Sequence, residues 1–247
     1  MTASLQPASS LAPGDPFAGP SRRGRWVALA VAGALVAGGV AWVRSDDPAD
    51  RLTDWALVGA RGPACVRLVL GNDVSGSMTE FAAARENAVD TFLRWAPGNL
   101  RSDDELGVLD FAAEARWARE PATIERGTGG RASAGAVDGL DTLLQPVLDR
   151  VAELSPSDCD TVLLLVSDAQ LADLPGSAEE GRATLRAAGV HDVVLLVPGE
   201  DIDVPPVWTT AHPEAEPLRF AGEDADAAAL VLGQVVAGLT GQTLEER

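Results

Sequence analysis

The chain has 247 residues, with 37 acidic side chains against 19 basic ones, all of them Arg, for a formal charge of −18. The absence of Lys excludes a Schiff-base lysine, a Walker A lysine and a Ser–Lys dyad. Two His are too few for a His-rich zinc site, and the acidic balance lacks the basic face that non-specific nucleic-acid binding needs. An apolar fraction of 46% supplies the core of one ordinary domain.

The charge is unevenly spread along the chain. Residues 1–25 carry Arg22, Arg23 and Arg25 against a single acid, Asp15, and are rich in Ser, Pro, Ala and Gly. Residues 26–43 carry no charge and no Pro, with Trp26 and Trp42 near the two ends. At 1.5 Å per residue this run reaches roughly 27 Å, the span of a hydrocarbon core. The positive-inside bias predicts a disordered cytoplasmic tail (1–25), a transmembrane helix (26–43) and an acidic body outside the cell membrane. A cleaved signal peptide is the alternative, and it also exports the body. Residues 44–63 read as a stalk, 64–240 as the globular domain and 241–247 as a C-terminal tail.

In chain order, 66–70 has strand length and is apolar apart from Arg67, and a polar loop follows it. Helical spacing covers 79–95, and Pro97-Gly98 stops it. Residues 106–111 read as a second strand and 113–120 as a short edge strand. The apolar spacing of 134–154 predicts a helix, kinked or broken at Pro146. Further strands are predicted over 161–166, 192–197 and 217–221, and helices over 178–188 and 224–239. Apolar strands alternating with helices imply an α/β, doubly wound, mostly parallel sheet with helices on both faces.

Ligands bind such sheets at the carboxyl ends of the strands. Two polar clusters fall there: Asp73-Val74-Ser75-Gly76-Ser77-Met78 and Ser167-Asp168. A carboxylate and two hydroxyls at alternate positions, closed by a second carboxylate, form an all-oxygen donor set for a hard cation such as Mg²⁺ or Mn²⁺.

An apolar strand, then Asp-x-Ser-x-Ser-Met, then a helix, with a later strand ending in Ser-Asp, resembles a von Willebrand factor type A domain over roughly residues 64–240. The cluster resembles that family's metal-ion-dependent adhesion site. The resemblance implies that Ser75 and Ser77 ligate the cation through their hydroxyls. Asp73 and Asp168 would act through its waters or nearby, and a loop Thr would complete the set. One coordination position would stay open for an Asp or Glu of a protein partner. Where the family shows Gly-Gly-Thr, this chain has Gly129-Gly130-Arg131. Thr128 is taken as the substitute, with Ser133 as the alternative. A third possibility is a degenerate site on a scaffold or assembly module. In the family's strand order Cys65 and Cys159 lie at the amino ends of adjacent strands, which implies a disulfide in an exported body. Two small buried thiols are the alternative.

Enzymatic readings fit less well. An aspartate-based phosphotransferase wants a second Asp two residues after the first and a Lys elsewhere, but position 75 is Ser and Lys is absent. His191 falls at the wrong end of a strand for a Ser–His–Asp triad, and His212 sits in a Pro-rich loop and reads as a surface residue. No enzymatic activity, small-molecule substrate or nucleic-acid partner is expected. The membrane is expected to be contacted through 26–43.

Overall fold

The computed structural model describes residues 51–62, 64–124 and 141–247. The expected tail and transmembrane helix, with Thr128, Arg131 and Ser133, lie outside them. Among the described residues no helix is long and apolar enough to cross a membrane.

Among the described residues there are eight strands: β1 (Trp55–Val58), β2 (Val66–Asp73), β3 (Glu105–Phe111), β4 (Ala115–Thr123), β5 (Asp160–Val166), β6 (Asp192–Pro198), β7 (Leu218–Phe220) and β8 (Thr243–Glu246). The α-helices are α1 (Ala82–Trp95), α2 (Gln145–Ala152), α3 (Ala178–Ala187), α4 (Pro206–Ala211) and α5 (Ala225–Thr240). Six strands form the central sheet in the order β4-β3-β2-β5-β6-β7, parallel except for the antiparallel edge strand β4.

Alternate residues of the central strands face opposite sides. Leu68, Leu70, Val108, Val162 and Leu164 pack with Val89 and Phe92 of α1 and Leu232 and Val236 of α5. Val69, Leu109, Leu163, Leu165 and Leu195 pack with Val147 and Leu148 of α2, Leu185 of α3 and Trp208 of α4. Every residue of β2 is buried, as a strand covered on both faces requires.

Two sequence expectations change. Residues 44–63 were expected to be a stalk and 241–247 a tail, yet β1 pairs antiparallel with β8 from Trp55↔Glu246 to Val58↔Thr243. Leu52 is fully buried in the core, and Trp95 Nε1 donates to the Trp55 carbonyl at 2.9 Å. Packing therefore extends past 64–240 at both ends. Of the kink or break expected at Pro146, the structure has the break: residues 141–144 are not helical and α2 starts at Gln145. Pro146 lies in the first turn of α2, where its missing N–H costs nothing and its fixed φ suits the helix. The residues before 141 that were expected to continue that helix lie outside the described ones.

The amino ends of the strands are fastened by polar groups. Cys65 and Cys159 form a disulfide between the starts of β2 and β5. Arg61 donates to both carboxylate oxygens of the fully buried Asp104, at 2.5 and 2.6 Å. Asp104 also accepts from the amides of Val66 and Arg101.

Candidate metal centre

At the opposite end of the sheet, β2 stops at Asp73. The Asp73 carboxylate accepts the Ser75 amide at 2.9 Å through Oδ1, the Asx-type turn that a short carboxylate makes two residues on. This turn holds Ser75 in an extended conformation and starts a 3-10 turn, Gly76–Phe81. Met78 of that turn is fully buried, which drives the turn against the core and leaves Ser77 exposed. The Ser75 and Ser77 hydroxyl oxygens lie 3.1 Å apart. From α1, the buried Arg85 guanidinium donates to the Asp73 carbonyl at the end of β2.

The second cluster follows β5. Ser167 Oγ donates to Asp73 Oδ2 at 2.6 Å and accepts the Ala169 amide at 3.0 Å. Asp168 is 6% exposed and accepts the Gln170 amide at 3.0 Å. Ala169 has φ of +61°, a left-handed conformation that costs energy without Gly. The loop thus holds a strained backbone next to Asp168. Burial pushes the Asp73 carboxyl above its ordinary range, and the Asp168 charge adds to that. The hydrogen bonds from Ser167 and Ser75 oppose the shift.

These features fit a hard divalent cation. The donors are carboxylate and hydroxyl oxygens. For an octahedral ion with bonds of about 2.0–2.1 Å, adjacent ligands stand about 2.9 Å apart. The Ser75–Ser77 separation is close to that. A buried carboxylate whose burial disfavours its charge is what a cation relieves.

The Thr128 assignment lies outside the described residues. A different threonine stands at this end of the sheet: Thr142 is 6% exposed and lies three residues before α2. Its carbonyl accepts the Ala172 amide at 2.9 Å from the Asp168 loop. The next amide, Leu143, donates to the Ala112 carbonyl at 3.0 Å, just beyond β3. Thr142 is thus pinned between the ends of β3 and β5. The sequence places Thr142 inside the helix expected over 134–154, whereas residues 141–144 are not helical. A Thr four residues before a Pro that starts a helix was the available signal.

The histidines do not join the site. The Nδ1 of His191 accepts the Thr161 amide at 3.0 Å, at the amino end of the sheet. His212 was read as a surface residue, yet it is 3% exposed. The Pro-rich loop folds into α4, and Trp208 packs on the His212 ring with centroids 4.8 Å apart.

No protein-family model and no curated protein sequence matches the chain. Solved structures do match. A von Willebrand factor type A protein from Catenulispora acidiphila superposes with a TM-score of 0.52 at 16% identity, over 80% of this chain and 51% of that one. Proximal thread matrix protein 1 from the mussel byssus superposes at 0.51 and 14% identity in one crystal form, over 71% and 48% of the two chains. A second structure of it gives 0.50 and 16% identity, over 73% and 49%. This chain spans about half the length of those proteins. The central sheet, its strand order and the likeness to these structures agree: the chain carries the fold of a von Willebrand factor type A domain.

Proposed function

We propose that this protein is a non-enzymatic, membrane-anchored, extracytoplasmic recognition domain that engages an Asp or Glu of a partner protein through a divalent cation. The observation that carries the reading is the convergence of Asp73, Ser75, Ser77 and Asp168 at the carboxyl ends of β2 and β5, with the Ser75 and Ser77 hydroxyls at a ligand-like 3.1 Å. Ser75 and Ser77 are assigned as direct ligands, Asp73 and Asp168 as nearby or water-mediated ones, and Thr142 as the loop hydroxyl that completes the set. A bound Mg²⁺ or Mn²⁺ supplies Lewis acidity and an open coordination position for a carboxylate.

The chain's own residues do the rest. Ser167 and the Ser75 amide hold the Asp73 carboxylate in place. Arg85 holds the Asp73 main chain. Exposed Ser77 leaves the site open to solvent and to a partner. The protein is strongly acidic, so a cation is a natural bridge to a second acidic surface. The disulfide agrees with an oxidising location, and the apolar run 26–43 supplies the anchor, with the N-terminus cytoplasmic.

Electron paramagnetic resonance titration with Mn²⁺ tests the site on the full chain in detergent. Saturable binding to the parent protein that is lost in Asp73→Ala and weakened in Thr142→Val supports the reading. Equal binding by the parent and Asp73→Ala would return the domain to the role of a scaffold. Detergent-dependent extraction, with protease access to the body from outside, tests the anchor.

A further inference from the structure

The metal reading gives no role to Asp173, a carboxylate at this end of the molecule. Asp173 lies five residues after Asp168 in the same loop. Its two oxygens accept the Leu144 and Gln145 amides, both at 2.7 Å. Those amides open α2 and have no partner within the helix. Leu144, at the N-cap, has no side chain that can accept them. A carboxylate from another segment therefore does the capping, with the helix dipole in its favour.

The consequence is positional. Asp173 fixes the chain two and three residues beyond Thr142. The Ala172–Thr142 hydrogen bond fixes Thr142 itself from the same loop. With Leu143 held by Ala112, the segment carrying Thr142 is tied to the loop carrying Asp168 by three hydrogen bonds and to the residue after β3 by a fourth. We infer that Asp173 is a positioning residue for cation binding: it helps to lock the main chain that carries Thr142 to the Asp168 loop, so that the Thr142 hydroxyl and Asp168 serve one ion together. This rests on the reading of the site as a cation site and of Thr142 as a ligand.

The test is a double-mutant cycle in the full chain, read by the Mn²⁺ dissociation constant, melting temperature and amide hydrogen exchange. Outer-shell partners of ligands are worth about 10–100-fold in metal affinity. Asp173→Asn is expected to raise the Mn²⁺ Kd by about 10-fold, to speed exchange at Leu144 and Gln145, and to leave the protein folded. In a Thr142→Val background the same change is expected to add nothing, because the positioned group is already gone. Loss of a negative charge alone would persist in that background and fade at high salt. Asp173→Ser, which keeps one acceptor, carries the same test if the Asn variant does not fold.

An unchanged Kd in Asp173→Asn, or effects of the two changes that simply multiply, would overturn the inference. Binding that survives Asp73→Ala removes the metal reading itself. Binding lost in Asp73→Ala and weakened in Thr142→Val but unchanged in Asp173→Asn removes only the role of Asp173.

Discussion

Asp73 and Ser167, 94 residues apart, are joined by a 2.6 Å hydrogen bond across the carboxyl ends of β2 and β5. Cys65 and Cys159, also 94 apart, are joined covalently across the amino ends of the same two strands. One parallel register, running from Val66↔Asp160 to Asn72↔Val166, sets both pairs. The strands that carry the site are therefore fastened at both ends.

Ser167→Ala tests the upper fastening. It leaves the buried Asp73 Oδ2 without its donor and the Ala169 amide without its acceptor. Stability should fall by about 1–3 kcal/mol in denaturant unfolding. The Ser167 hydrogen bond lowers the Asp73 pKa, so its loss moves that group further up. Cation binding, which needs the carboxylate ionised, should then fail at a higher pH than in the parent protein.

Cys65→Ser with Cys159→Ser tests the lower one. Opening a loop of 94 residues should cost up to about 4–5 kcal/mol in the chain-entropy model. Unfolding midpoints of the oxidised, reduced and double-Ser proteins check this, and the last two should agree.

Gly181→Ala should reverse the usual preference of helices. In an open helix interior the change gains up to about 1 kcal/mol. In α3 the added Cβ would lie 2.1 Å from the Ala211 carbonyl oxygen and 3.3 Å from His212 Cε1. Backbone of α4 cannot yield cheaply, and overpacking costs about 1–3 kcal/mol. The melting temperature should drop.

Burial holds the His212 imidazole below its ordinary pKa of 6.5, with the charge of Glu214 opposing the shift. The folded state then binds fewer protons than the unfolded chain. The associated stability is complete above the unfolded pKa and is lost as pH falls through it toward the folded value. Between neutral pH and pH about 5, His212→Gln should lose less stability on acidification than the parent protein does. A parallel decline would place the acid sensitivity elsewhere.

Much of the sheet, and the positions of Asp73, Ser75, Ser77, Ser167 and Asp168 at its carboxyl end, could be read locally. Apolar runs of strand length, the 73–77 turn and Ser167-Asp168 are short-range patterns, and each lies where the pattern put it. What escaped depends on distant partners. Residues 55–58 look like linker because their strand partner is 243–246. Thr142 and the start of α2 are set by Asp173 and Ala172 from across the sheet. His212 is buried because Trp208 folds onto it, with the indole N–H bound to the Ala215 carbonyl.

The measurement closest to the central claim is a thermal melt of the oxidised full chain, in Mg²⁺ or Mn²⁺ against chelator, beside Asp73→Ala. At a concentration 100-fold above its dissociation constant, a bound cation adds about 2.7 kcal/mol, or a rise of about 5–10 °C for a domain of this size. The account predicts that rise in the parent protein and none in the variant. Identical melts with chelator and with millimolar cation would contradict it.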